Sequence, residues 1–462
     1  MSETGAPVSG HAMKPPRKSF SLPALGRLRG GAGAAGLASL GVKLAVAVLG
    51  LGVNVVLARW LGPADYGVYA FGITVALALS AFASAGMPFA AIRHLPEYVA
   101  RGAWAEVAGF RRASILVTAA GSLLCVVGVL LLAGVLHADQ VLTTALVWSA
   151  VLVAPLAFVQ TLATLLQARG RVALPEAMQS LIRQGMTLLF LGFGAAMIGI
   201  GPGMAFASTA AATALAALAL AKMLWRLDFT EIPSVHGRRY ELRRWTRTGA
   251  GIFLILIGAT LNEKVDILML AWLVEPDRLG IYAAATRLSA MASLGLAGLN
   301  AAYMPRIARA WAEGDRPRTE ALCVEAARIG ALVVGIMLLG AVLFGEAMLA
   351  VFGEEFRAGA GVLQLLVVGQ IGVAAAGVAG GLAVIAGRDT LPMAGVIAGI
   401  ALNVVLNLLL VPRMGIAGAA LATCIALGLS LLAVGLVAGR RLGLRLTLLP
   451  IGPRAGVAER GE

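Results

Sequence analysis

Apolar stretches of about 20 residues, the length an α-helix needs to cross a hydrocarbon core, recur twelve times along this chain. They lie at 36–59, 66–92, 111–134, 140–167, 178–200, 203–224, 248–274, 280–304, 326–351, 359–386, 391–411 and 416–438. The pattern predicts an all-α integral membrane protein of twelve transmembrane helices. It divides the chain into a basic tail (1–35), a six-helix bundle (36–225), a basic linker (226–247), a second six-helix bundle (248–439) and a basic tail (440–462). The first apolar run is longer than a signal-peptide core and eleven others follow it, so the N-terminus is expected to be a retained tail. Pro155 is a candidate kink in the fourth helix. Segments 96–110 and 305–320, each carrying a Trp among basic residues, resemble interfacial helices.

Composition agrees with this pattern. Of 462 residues, 60% are apolar and only 13% are Asp, Glu, Lys or Arg, roughly half the ~25% of a soluble domain. Three globular surfaces could not be covered with so few charges. A net charge of +14 would suggest nucleic acid in a soluble protein, so the placement of the basic residues decides. Sorted by loop, 30 of the 37 fall on one side of the predicted membrane, and only Arg59, Arg278, Arg357 and Arg413 on the other. That asymmetry is the positive-inside pattern. It predicts a multi-pass membrane protein with both termini cytoplasmic. The charge is then topogenic and faces membrane lipids of the anionic leaflet, with no nucleic acid partner. All but five of the basic residues are Arg, which in an Ala- and Gly-rich chain reflects a GC-rich gene and does not make each one a phosphate ligand. Cys125, Cys323 and Cys424 form no CxxC pair, and the four histidines fall in different loops. No resident cofactor, metal site or catalytic residue is expected, and the chain reads as a transporter with no enzyme chemistry.

The chain also repeats itself. Trp60-Leu61-Gly62-Pro63 leading to Gly67-Val68-Tyr69-Ala70 matches Trp272-Leu273 and Pro276 leading to Gly280-Ile281-Tyr282-Ala283. Gly170-Arg171-Val172-Ala173-Leu174-Pro175 matches Gly387-Arg388-Asp389-Thr390-Leu391-Pro392 at nearly the same offset. Six helices per half give parallel repeats, related by a pseudo-two-fold axis along the membrane normal around a central cleft. Such bundles move by rocking, and alternating-access transport is the expected function. The outer loops are too short to house the chemistry of a polysaccharide polymerase or glycosyltransferase.

The run Arg59–Tyr69, and above all Asp266-Ile267-Leu268-Met269-Leu270 leading to Gly280-Ile281-Tyr282-Ala283-Ala284-Ala285-Thr286-Arg287-Leu288, resembles the helix 7–8 signature of polysaccharide (lipid-linked oligosaccharide, Wzx-type) flippases. These belong to the multidrug/oligosaccharidyl-lipid/polysaccharide (MOP) exporter superfamily. The resemblance covers nearly the whole chain, in motifs that are loose and apolar. It implies translocation of undecaprenyl-pyrophosphate-linked oligosaccharide repeat units for O-antigen, capsule or exopolysaccharide synthesis. The implied partners are the lipid-linked oligosaccharide and the polysaccharide polymerase with its chain-length machinery.

Five ionisable residues fall well inside the predicted helices: Lys43, Glu263, Lys264, Asp266 and Arg287. Each costs at least ~2.5 kcal/mol near mid-helix and needs a partner, water or a function. Lys43 either snorkels to the near interface or meets the pyrophosphate as it enters. Lys264, near the midplane, either pairs locally with Glu263 or a helix neighbour, or anchors the diphosphate as a point charge. Asp266 and Arg287 sit at similar depth on adjacent helices, which allows an intramembrane ion pair. The alternative gives Arg287 to the substrate anion and Asp266 or Glu263 to a coupling proton or Na⁺. Asn54 is the repeat counterpart of Asp266 and is expected to face the same cleft from the opposite bundle. Cleft binding is thus assigned to Lys43, Asn54, Lys264 and Arg287, and cation coupling to Glu263 and Asp266. Gln160, Gln167, Asn300, Gln370, Asn403 and Asn407 serve as ligands of sugar hydroxyls or as interhelical glue. Arg183, within five residues of a predicted helix end, is expected to reach an interface. A multidrug/cation antiporter of the same superfamily is the main alternative function, with a lipid II flippase and a non-transporting scaffold of polysaccharide assembly behind it.

Overall fold

The computed structural model describes residues 31–135, 140–171, 173–197, 199–231, 237–250, 253, 264–388 and 390–446, with side-chain surroundings from residue 45 onward. Contacts divide the chain into a short N-terminal unit, Met1–Leu44, and a body, Ala45–Glu462. The described part of the short unit, 31–44, is helical.

The described residues form helices and turns, with no strand. In order these are α1 (Gly31–Ala83), α2 (Met87–Ala100), α3 (Trp104–Val135), α4 (Gln140–Gln167) and α5 (Ala173–Ala177). α5 continues through a π-turn, Met178–Ile182, into α6 (Arg183–Met197), and α7 (Pro202–Glu231) ends the first half. Residues 242–250 are helical. The second half contains α8 (Val265–Leu273), α9 (Pro276–Ala312), α10 (Arg316–Ala350), α11 (Ala360–Ala376), α12 (Ala379–Ile385), α13 (Thr390–Met414) and α14 (Ile416–Leu442).

Ten of the described helices are long and apolar enough to cross a membrane. The first of them, Ala45–Ala83, carries expected helices 1 and 2 in one bent run, and expected helix 7 falls partly outside the described residues. The bend has a local cause. Gly62 sits at φ 72°, a region open to a residue without Cβ, and Pro63 restarts the helix where its missing N–H costs nothing. The second half breaks at the matching place, with Val274 extended and Pro276 in the first turn of α9. α4 runs through Pro155 as a single helix. The expected interfacial helices at 96–110 and 305–320 are not separate elements. Gly102 (φ 67°) divides the first between α2 and α3, and Gly314 (φ 74°) divides the second between α9 and α10.

Within the first half α3 packs on α4, and α4 and α6 pack on α7; within the second, α11 and α13 pack on α14, and α8 on α13. Gly395 and Gly399 let α13 approach α14 until an added Cβ would meet Val434 or Ser430. The outward surface is apolar, with Leu124, Phe193, Leu332 and Phe344 all exposed, as a lipid-facing wall requires. The matched tryptophans Trp60 and Trp272 are also exposed, at the turns between spans, where an amphipathic ring suits a membrane–water boundary.

Two ends of the body can be told apart by charge. At the arginine-poor end one apolar core draws on both halves, joining Tyr66, Phe71 and Phe206 to Tyr282, Phe352 and Leu363. At the arginine-rich end each half keeps its own core, one around Phe110 and Trp245 and one around Tyr303 and Ile307. The arginine-poor seam is also tied by Arg59, whose Nε donates to the Val351 carbonyl at 2.7 Å. Tyr66 and Phe356 meet there edge to face.

The seam turns on a glycine pair. A Cβ on Gly67 would run into the Pro276 carbonyl and come 2.9 Å from the Gly280 nitrogen. A Cβ on Gly280 would run into the Pro63 carbonyl and come 3.1 Å from the Gly67 nitrogen. These are the residues the sequence repeat pairs, and each half presents to the other the contact it receives, as a two-fold relation demands. Toward the other end, Gly86 and Gly249 approach each other in the same reciprocal way.

Candidate functional site

The second half encloses a cavity of about 360 Å³ whose walls include Lys264, Asp266, Arg287, Gln370, Asn403 and Thr423. α8 and α9 bring the first three, α11 the fourth, and α13 and α14 the last two. Three of the charged residues singled out by sequence thus share one chamber. Lys264 sits just ahead of the first residue of α8 and is half-buried. Glu263 and the side chain of Lys43 lie outside the described residues.

Asp266 is 5% exposed, and hydrogen bonds occupy both its oxygens. Oδ2 accepts from Tyr282 at 2.8 Å and from the Thr423 hydroxyl, and Oδ1 accepts from Asn407 Nδ2 at 2.9 Å. Asn407 and Asn403, one helical turn apart on α13, share a face. Asn407 also donates to Asn403, whose own amide donates to Thr423 at 3.2 Å. The Asn407 Oδ1 is buried without a partner. A carboxylate, two amide oxygens and two hydroxyls form an all-oxygen cluster of the kind that suits a proton or a hard monovalent cation.

Arg287 looks the other way. Among the described residues it forms no ion pair with Asp266; its guanidinium borders Tyr66 of the first half, and its Nε is buried without a partner. The ion pair that similar depth allowed is therefore absent, because three neutral donors already satisfy Asp266. Asn54 is not among the residues lining the cavity. Its Oδ1 accepts from Tyr66 at 3.0 Å and its Nδ2 donates to the Gly50 carbonyl at 2.7 Å, so it reaches Arg287 only through Tyr66. Each half thus binds its matched polar residue with a tyrosine of its own.

Sequence reasoning gave no role to Tyr282, Thr423 or Tyr66. The spacing of Asn403 and Asn407 was a usable signal, since two amides on one face of an apolar helix imply a common partner. Thr423 and Tyr66 carry no such mark, whereas Tyr282 stands in the repeat opposite Tyr69.

A second chamber, about 510 Å³, lies between the halves at the arginine-poor end, lined by Val68, Phe71 and Val141 on one side and Trp272, Val274 and Leu279 on the other. Its walls are mainly apolar, with Glu275 the one ionisable residue among them.

The family model described as "Polysaccharide biosynthesis protein" matches residues 33–311, and that described as MatE matches residues 252–409. No curated protein sequence matches. Among solved structures, the fold is similar to a multidrug resistance MATE family transporter of the MOP superfamily, with TM-score 0.69 and 13% identity over 86% of this chain and 94% of that one. It is similar to the lipid II flippase MurJ, with TM-score 0.68 and 13% identity over 86% of each chain. A mutant form of the Vibrio cholerae MATE transporter VcmN matches with TM-score 0.56 and 15% identity over 88% of this chain and 97% of that one. The helical body, the paired halves and the family match over more than half the chain lead to one conclusion: the chain belongs to the polysaccharide biosynthesis protein family, with a fold similar to that of MOP-superfamily transporters.

Proposed function

We propose that the protein carries oligosaccharide repeat units, linked through pyrophosphate to undecaprenol, from the cytoplasmic to the outer leaflet of the bacterial inner membrane by alternating access. On this reading the arginine-rich end and both termini face the cytoplasm, and the product passes to a polysaccharide polymerase and its chain-length machinery. The observation that carries it is Arg287, a guanidinium at the meeting of the two halves with a buried, unpartnered Nε. Such a group needs an anion, and Lys264 on the same chamber wall adds a second positive charge. Rocking of the halves would present these cations to the two leaflets in turn. The oxygen cluster around Asp266 takes the coupling proton or Na⁺, so substrate and driving ion occupy adjacent faces of one chamber.

Reconstitution into proteoliposomes with a fluorescent lipid-linked oligosaccharide tests this. Translocation is expected in wild type and is expected to fall at least tenfold in Lys264→Ala and in Arg287→Ala of normal folded yield. Wild-type rates in both variants would remove the anion-carrier reading. The MatE match keeps one further reading in view, a cation antiporter. Efflux of organic cations against a proton or Na⁺ gradient, with no movement of the lipid-linked sugar, would establish it instead.

A further inference from the structure

The helix that leads toward the second half, residues 242–250, is fixed along one stripe and bare along the other. Trp245 and Gly249, four residues apart and so on one face, are both buried. Trp245 meets Phe110 edge to face, with ring centroids 4.9 Å apart. Gly249 comes so close to Gly86 that an added Cβ would stand 2.7 Å from its carbonyl oxygen. Upstream, a Cβ on Gly109 would run into the Arg239 carbonyl. Arg243 and Arg247 take the opposite stripe, about 200° around the helix from Trp245 at 3.6 residues per turn, and both are exposed.

Phe110 gives the depth of this helix. The span Trp104–Val135 has 32 residues, about 48 Å at 1.5 Å per residue, against a hydrocarbon core of about 30 Å. Residues 113–135 carry no charge and, at about 34 Å, suffice to fill that core. Arg111 and Arg112 then mark its edge, and Phe110 lies just beyond, among the lipid headgroups. Trp245 packs on Phe110, so the arginines two residues to either side of Trp245 also stand at headgroup depth.

Like charges one helical turn apart repel each other, and the acidic neighbours do not relieve this pair. Glu241 is engaged by Arg244 at 3.1 Å and Glu106 by Arg239 at 3.5 Å. Among the described residues no carboxylate pairs with Arg243 or Arg247. The groove these two border, about 550 Å³, also has Tyr240 and Leu242 on its walls, and each of those is 46% exposed. A wall that attracts anions therefore stands beside an amphipathic one. We propose that this groove binds an anionic phospholipid, its phosphodiester between Arg243 and Arg247 and its glycerol and upper acyl carbons against Tyr240 and Leu242. A guanidinium suits a phosphate through paired N–H bonds. An anionic headgroup leaves that attraction whole, whereas a zwitterionic one brings a cation of its own. The bound lipid offsets the repulsion within the helix and so holds the linker against the first half. The site does not depend on what the protein carries.

The test places the full chain in phosphatidylcholine nanodiscs with a trace of photoreactive phosphatidylglycerol and maps the label by mass spectrometry. Labelling of residues 240–247 is expected, and excess unlabelled phosphatidylglycerol is expected to suppress it. Arg243→Gln and Arg247→Gln should each lower it about fivefold, and the double variant about thirtyfold, relative to labelling elsewhere on the chain. The control Arg328→Gln, an exposed residue of α10, should leave it unchanged. Labelling of the double variant within twofold of wild type overturns the assignment, as does equal labelling of wild type by a photoreactive phosphatidylcholine. Suppression by inorganic phosphate, but not by chloride of the same ionic strength, would give the arginines to a soluble phosphate and remove the lipid. Amide hydrogen exchange over 242–250 reads the effect on docking. Nanodiscs rich in phosphatidylglycerol should slow it at least threefold against pure phosphatidylcholine in wild type and not in the double variant. Equal exchange in the two lipids would overturn the holding role.

Discussion

Asp266 is where the sequence was most informative and also where it misled. A charge in an apolar helix announces itself, so Asp266, Lys264 and Arg287 were legible, and all three line one chamber. Their partners were not. Depth suggested that Asp266 pairs with Arg287, yet a carboxylate with three neutral donors needs no cation, and Tyr282, Thr423 and Asn407 supply them. Asp266→Asn keeps the shape of the cluster and removes its charge. The expected result is that gradient-driven accumulation of substrate falls at least tenfold while downhill exchange persists. Parallel proteoliposome assays with and without a proton or Na⁺ gradient measure this, and an unchanged response to the gradient would take coupling away from Asp266.

At the scale of elements, the matched breaks at Gly62-Pro63 and before Pro276 were legible in the repeat, because those residues act through the backbone alone, whereas the breaks at Gly102 and Gly314 were not. The linker between the halves was not. Its run of arginines marked it only as a basic linker, and the charges hid Trp245, which is fully buried against Phe110 and donates to Tyr98 OH at 3.0 Å. Tyr98 in turn donates to Glu241 at 2.9 Å, and Arg239 N donates to the Ala105 carbonyl at 3.2 Å. The Tyr98 hydroxyl and Arg244 hold the Glu241 carboxyl below its usual range. Trp245→Ala should cost about 3 kcal/mol or more if the site does not collapse. It is expected to speed trypsin cleavage at Arg243, Arg244 and Arg247, read by mass spectrometry against wild type. His94 adds a pH dependence to the same docking. Its Nε2 lies 3.2 Å from Thr248 Oγ1, and burial, helped by Arg244 and Arg93, lowers its pKa. The undocked imidazole, with a pKa near ~6.5, takes up a proton first. Docking is therefore firm above that pH and weakens as pH falls below it. A spin label at position 242 should become more mobile between about pH 7 and 5.5, and His94→Gln should flatten that change.

For the whole molecule, the notable asymmetry is that the halves share one core at the arginine-poor end and keep separate cores at the other. The repeat made two halves legible, but no pattern along a chain says which end of a pair of bundles is joined. That depends on side chains meeting across the seam, such as Tyr66 with Phe356 and Arg59 with Val351. If transport requires this end to part, tying it should stop the cycle. In a background lacking Cys125, Cys323 and Cys424, a reducible bifunctional thiol cross-linker joining Arg59→Cys to Val351→Cys is expected to abolish translocation, and reduction to restore it. Full activity while cross-linked would mean that the arginine-poor end never opens.

The glycine pair at that seam bears on speed. Where Gly67 meets Pro276 and Gly280 meets Pro63, backbone rests directly on backbone, with no side chains meshed between. Interlocked side chains must leave one set of rotamers and find another whenever two helices separate, and the search takes time and entropy. A bare contact parts and re-forms without it. The pair would therefore act as a pivot, and whatever friction the joint has falls to the side chains packed around it, such as Tyr66 against Phe356.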